Sequence, residues 1–200
     1  MLRFMTSRAR RHPRRAAFSR LLLAAGGLLL SAVPLAAAEK PPIVPRAAWH
    51  AKPAIPERME RQTPREIVIH HTGVRKKEKL SLEKKLQGLQ GFSLGEKRWG
   101  DVPYHFYIDA AGRIGEGRDL AFAGDTNTRY DVKDRIQVVI EGDFEKETPS
   151  DAQIAAMRAV VAWLRAQHRI EGAKVHGHDD LAQTDCPGKS LKPFLAELRK

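Results

Sequence analysis

The run RIQVVI (135–140) most constrains the fold. Ile136, Val138 and Ile140 alternate to one side, and Val139 adds apolar surface to the other. A strand that is apolar on both faces belongs in the middle of a sheet, with other elements packed over it. EIVIHHTG (66–73) is a second β-branched run, ended by Thr72-Gly73. VPYHFYID (102–109) alternates, turns at AAG (110–112) and continues as RIGEG, which predicts a hairpin. KVHGHDD (174–180) reads as a short strand or its exit. Between these runs the period changes. TPSDAQIAAMRAVVAWLRAQH (148–168) carries Ile154, Met157, Val161 and Leu164 on one stripe and opens with a Ser150/Gln153 capping box. LSLEKKLQGLQGFSL (80–94) places Leu82, Leu86 and Leu89 at helical spacing behind Ser81 as N-cap. SLKPFLAELRK (190–200) predicts a short final helix. Alternating strands and helices predict an α/β class: a single domain with a central mixed β-sheet flanked by helices.

The front of the chain follows different rules. Residues 1–20 hold seven arginines and no acid, and LLLAAGGLLLSAVPLAAA (21–38) follows, with Ala36 and Ala38 before Glu39. A basic start, a short apolar run and small residues at the cut predict a signal peptide over 1–38. The chain is therefore expected to be exported, to the periplasm or beyond, with no lasting membrane association after cleavage. The formal charge of the whole chain is +11; without 1–38, 28 basic residues face 24 acidic ones, so the charge is +4. Most of the basicity belongs to targeting, and a nucleic-acid partner loses its compositional support. Mild positive charge still suits a polyanionic surface such as a cell wall. Residues 39–65 are rich in proline and predict an extended arm lying on the domain, pinned by Trp49; the domain proper is expected over 66–200.

Cys186 is the chain's one cysteine, so no internal disulfide can hold the exported domain together. A lone exported thiol is buried filler, a link between copies, a nucleophile or a metal ligand. Histidines at strand ends supply a partner for the last role. His70-His71 ends one apolar run, and only one of that pair can face a given site. His176 and His178 share a face if the chain there is extended. Two imidazoles and a thiolate are a donor set for Zn2+, with a fourth position left open in a catalytic site. HExxH and CxxC spacings are absent.

IVPRAAWHAKPAI (43–55), EIVIHHTG (66–73), VPYHFYID (102–109), RIQVVIEGDF (135–144) and GHDDLAQTDCPG (177–188) resemble, in order and spacing, the N-acetylmuramoyl-L-alanine amidase and peptidoglycan recognition protein family. The resemblance covers roughly residues 43–188. It implies a mixed sheet flanked by helices, with a substrate cleft over a zinc ion. Carried over motif by motif, it makes His70, His178 and Cys186 the zinc ligands, with Tyr104 and Thr184 as catalytic residues beside them. His71 and His176 are then packing groups or groups that orient the ligands. The implied partner is peptidoglycan or a muropeptide, the implied reaction is hydrolysis of the amide between N-acetylmuramic acid and L-alanine, and the expected state is a monomer. Some members bind peptidoglycan without cutting it, which goes with loss of the metal cysteine; here Cys186 is present. This chain departs from the family at three places. Val139 stands where one branch has glutamate, with Glu141 two positions on. His50 stands where recognition proteins have glycine, and Phe122 stands near a position that often carries histidine.

Overall fold

The structure, a computed structural model, describes residues 38–77 and 79–200. The leader expected over 1–38 lies, but for Ala38, outside the described residues. Among the described residues six strands form one sheet: β1 (Ile43–Val44), β2 (Glu66–His71), β3 (Phe106–Ile108), β4 (Ile114–Glu116), β5 (Arg135–Ile140) and β6 (Val175–Gly177). Their order is β1-β4-β3-β5-β2-β6. Only β3 and β4 pair antiparallel; every other neighbour is parallel. This is the mixed sheet that the alternating pattern predicts, with β3 and β5 at its centre and β2 beside β5. The β3–β4 pair is the expected hairpin, but β3 starts at Phe106 instead of Val102. Pro103 has no N–H to give a ladder, and 102–105 runs as a loop that carries Tyr104.

Period-2 alternation divides the sheet into two unlike faces. Ile136, Val138 and Ile140 join Ile67, Ile69, Phe106 and Ile108 in the main core. Over them pack α2 (Asp151–His168) and α3 (Lys192–Leu198). The α2 N-terminus is fixed by the expected capping box: Ser150 accepts from the Gln153 N–H, and Gln153 returns a bond to the Ser150 N–H. On the opposite face Val139 and Tyr107 meet Trp49, Leu82 and Leu86 in a smaller cluster. Leu82 and Leu86 come from α1 (Leu82–Gly95), whose Ser81 cap accepts from the Lys84 N–H at 3.3 Å. Leu89 does not continue the buried stripe as expected. It is half-buried and, with Phe92, lines a cleft over His70.

The proline-rich arm supplies the edge strand β1 and a 3-10 turn over Arg46–Trp49. Trp49 is fully buried, and its Nε1–H donates to the Glu116 carbonyl at 2.8 Å. Burying an indole contributes roughly 4–6 kcal/mol by area, so this one side chain holds the arm against α1 and β4. No helix among the described residues is long and apolar enough to cross a membrane.

Candidate metal centre

Three chain segments converge on the unlike face. His70 is the fifth residue of β2 and points away from the main core, because Ile67 and Ile69 point into it. His178 opens a 3-10 turn (His178–Asp180) directly after β6. Cys186 arrives on the following loop, which Gly188 turns back at φ +94. A Cβ on Gly188 would lie 2.6 Å from the Phe144 backbone, so this turn requires glycine.

The donor atoms of His70, His178 and Cys186 all lie within 4.8 Å of one another, and all three residues are buried. Cys186 Sγ is 3.6 Å from His70 Nδ1. A tetrahedral zinc with bonds of ~2.3 Å to sulfur and ~2.0 Å to nitrogen sets that edge at about 3.5 Å, so the spacing fits the ion. The other ring nitrogens are occupied in the way a ligating imidazole requires. His70 Nε2 lies 2.6 Å from Gln137 Oε1, and His178 Nε2 lies 2.6 Å from Thr128 Oγ1.

Burial, then the neighbouring His178, pushes the His70 pKa down to about 3, and burial also lowers that of His178. Both imidazoles are thus neutral in the working range, as ligands must be. Burial pushes the Cys186 thiol up to about 12, so without an ion the site is uncharged. A cation that displaces the thiol proton repairs this mismatch. The His71 N–H donates to Sγ at 3.3 Å and stabilises the thiolate form.

His71 and His176 stay out of the cluster. Adjacent strand residues face opposite ways, and His71 Nδ1 accepts from the Phe144 N–H at 3.1 Å. His176 Nε2 lies 3.5 Å from a Glu66 carboxylate oxygen. Among the described residues, His176 therefore does not close the site as a fourth ligand.

The three residues sit in a cleft of about 350 Å³ that Tyr104 and Thr184 also line. The Tyr104 ring lies 5.4 Å from that of His70. Burial raises the Tyr104 phenol above its ordinary range, so it stays protonated and keeps a hydroxyl hydrogen to give. Thr184 Oγ1 accepts from the Cys186 N–H at 3.2 Å. Val139 is enclosed by Trp49, Leu82, Leu86 and Tyr107 and offers the cleft no acid. Glu141 is committed elsewhere: it pairs with Lys85 Nζ at 2.7 Å and accepts from the Lys77 and Ala110 N–H groups at 2.7 and 2.8 Å.

Sequence reasoning missed Gln137, Thr128 and Tyr130. Gln137 had a signal, as the one amide inside an otherwise apolar central run. Thr128 and Tyr130 had none, since the loop 122–134 reads only as polar.

Comparison with known proteins agrees with this architecture. A family model described as N-acetylmuramoyl-L-alanine amidase matches residues 60–189. The chain is 30% identical over 180 residues to peptidoglycan-recognition protein SD of Drosophila melanogaster, covering 86% of this chain and 94% of that one. The crystal structure of a Drosophila protein SD superposes with a TM-score of 0.66 at 28% identity, over 78% of this chain and 94% of the other. An N-acetylmuramoyl-L-alanine amidase of Sus scrofa is 29% identical over 161 residues, 78% of this chain and 27% of the pig protein. Peptidoglycan recognition protein LE, solved in complex with tracheal cytotoxin (monomeric diaminopimelic acid-type peptidoglycan), superposes with a TM-score of 0.65 at 26% identity, over 74% and 88% of the two chains.

Proposed function

Because the chain belongs to the N-acetylmuramoyl-L-alanine amidase family, we propose that it is an exported, zinc-dependent amidase. It hydrolyses the amide between the lactyl group of N-acetylmuramic acid and the L-alanine of the peptidoglycan stem. The observation that carries this reading is the convergence of His70, His178 and Cys186, donor atoms within 4.8 Å, on an open cleft. A non-cleaving recognition module has no need of that donor set. The relative bound to tracheal cytotoxin supports a muropeptide as ligand, and the basic-then-apolar front of the chain supports export.

His70 Nδ1, Cys186 Sγ and the free nitrogen of His178 would hold the ion. When bound, zinc supplies a Lewis acid for the amide carbonyl and makes water a nucleophile near neutral pH. The protein's own groups do the rest. Tyr104, held protonated by burial, donates to the oxygen that gains charge as the carbonyl carbon becomes tetrahedral. Thr184 is fixed through its oxygen by the Cys186 N–H, which leaves its hydroxyl hydrogen for the same oxyanion. Leu89, Phe92 and Trp99 wall the cleft with apolar surface and strengthen these bonds by excluding water.

Mass spectrometry of the soluble products from peptidoglycan tests the proposal. Free stem peptides beginning at L-alanine, lost on chelation and restored by Zn2+, are expected. Protein that pellets with the wall but releases nothing would replace the amidase with a recognition module.

A further inference from the structure

The loop 122–134 reaches the metal centre along one wall of the cleft, which Asp125, Thr126, Asn127 and Thr128 help to line. Two hydrogen-bond chains leave the histidines and end on it. The first runs from His178 Nε2 to Thr128 Oγ1 at 2.6 Å, and on to Thr126 Oγ1 at 2.9 Å. The second joins His70 Nε2 to Gln137 Oε1 at 2.6 Å, and that oxygen also accepts from the Tyr130 hydroxyl at 3.0 Å. Gln137 is fully buried on β5, and the Tyr130 ring lies 5.1 Å from that of His178. The donor directions are constrained. If Thr128 donated to His178 Nε2, the ring proton would sit on Nδ1, where a ligand needs its lone pair. So the ring donates to Thr128, whose hydroxyl is held in turn beside that of Thr126.

The root of the loop is tied down independently. Arg118, 2% exposed, donates to the carbonyls of Asp101 at 3.1 Å, Val102 at 2.8 Å and Ala123, and pairs with Asp125. One guanidinium thus joins the loop to the segment that leads into Tyr104.

We propose that Thr128 and Tyr130 of this loop, with Gln137, are positioning residues of the metal centre that set the tautomer and ring orientation of His178 and His70. The inference rests on the zinc reading above. An outer partner of a metal-bound imidazole is worth roughly 10- to 100-fold in metal affinity. The Tyr130 hydroxyl acts one bond further out, so its loss costs less.

The test measures the Zn2+ dissociation constant of the purified protein by competition with a chromophoric chelator, beside the thermal melt of the metal-free protein. Thr128→Val keeps the shape and removes the acceptor; a loss of roughly 10- to 100-fold is expected with the metal-free melt unchanged. Thr128→Ser restores the oxygen and should return affinity to near the parent value. Tyr130→Phe should weaken binding several-fold. A folded Thr128→Val protein with parental affinity would overturn the inference, as would a serine variant as weak as the valine one. If Thr128→Val does not fold, Tyr130→Phe decides alone, and parental affinity there overturns the proposal. Failure of the parent protein itself to bind Zn2+ would instead remove the zinc reading.

Discussion

Replacing Lys85 with methionine strands a carboxylate inside the protein. Lys85 and Glu141 are both buried, with Nζ 2.7 Å from Oε2 and side-chain exposures of 5% and 2%. At an effective dielectric near ~20 their attraction is about 6 kcal/mol, most of which offsets desolvation of the two charges. Breaking such a pair from one side costs about 3–5 kcal/mol, because the remaining charge is uncompensated. Glu141 keeps two backbone donors, from Lys77 and Ala110, so the lower end applies. Lys85→Met should therefore cost about 3 kcal/mol in urea denaturation and lower Tm by roughly 6–12 °C. Glu141→Gln and the double variant complete a thermodynamic cycle, in which the two losses should fall short of additivity by about 2 kcal/mol. A loss under ~1 kcal/mol for Lys85→Met, or strict additivity, would refute the pairing argument. The same variants separate structure from chemistry. Removing a general base costs roughly 10²–10⁴ in rate, whereas folded Glu141→Gln should keep hydrolysis within ~10-fold of the parent.

His50 closes the Arg46–Trp49 turn at φ 53, a left-handed conformation on an exposed residue. His50→Gly removes about 1–2 kcal/mol of backbone strain and returns about 0.4–1 as unfolded-state entropy; a net gain near ~0.5–1 kcal/mol is expected, and a lower Tm would contradict it. His105 is held down to about 4, mainly by burial, from an ordinary value of 6.5. The unfolded chain therefore binds that proton first, so the contribution of neutral His105 is complete above ~pH 6.5 and about 3 kcal/mol is lost as pH falls towards ~4. Urea midpoints from pH 7 down to 4.5 should fall less for His105→Gln than for the parent, and parallel curves would contradict the assignment. Cys186→Ser should cut hydrolysis by more than ~10² and abolish zinc retention, while the metal-free protein melts as before. Unfolding of that variant would point to a structural metal.

Much of the fold was legible because its signals are local. The two-faced apolar run at 135–140 placed β5 in the sheet's middle, and the Ser150/Gln153 pair marked the start of α2. The donor set was legible for a different reason. A lone thiol in a chain expected to be exported asks for a partner, alternation along β2 allows only one of His70 and His71 to reach it, and the family resemblance chose His70 and His178. What stayed hidden depends on register. His70 lies opposite Val139 and Val68 opposite Gln137 in the β2–β5 pairing, which puts the Gln137 amide beside the His70 ring. No periodicity in 122–134 announces that Thr128 will meet a ring 50 residues away. Nothing in the sequence sets Lys85 apart from the other lysine of α1; its partner Glu141, 56 residues on, is supplied only by the fold. The glycine expected at 50 also gained a physical meaning only when the turn placed that residue at positive φ.

X-ray absorption at the zinc edge tests the central claim most directly. The purified protein, loaded with one equivalent of Zn2+, should show one sulfur at about 2.3 Å and the remaining first-shell scatterers as nitrogen or oxygen at about 2.0–2.1 Å. Cys186→Ser, which should retain no zinc, should leave no protein-bound zinc signal. A shell without sulfur in the parent protein would contradict the assignment of His70, His178 and Cys186 as the metal centre.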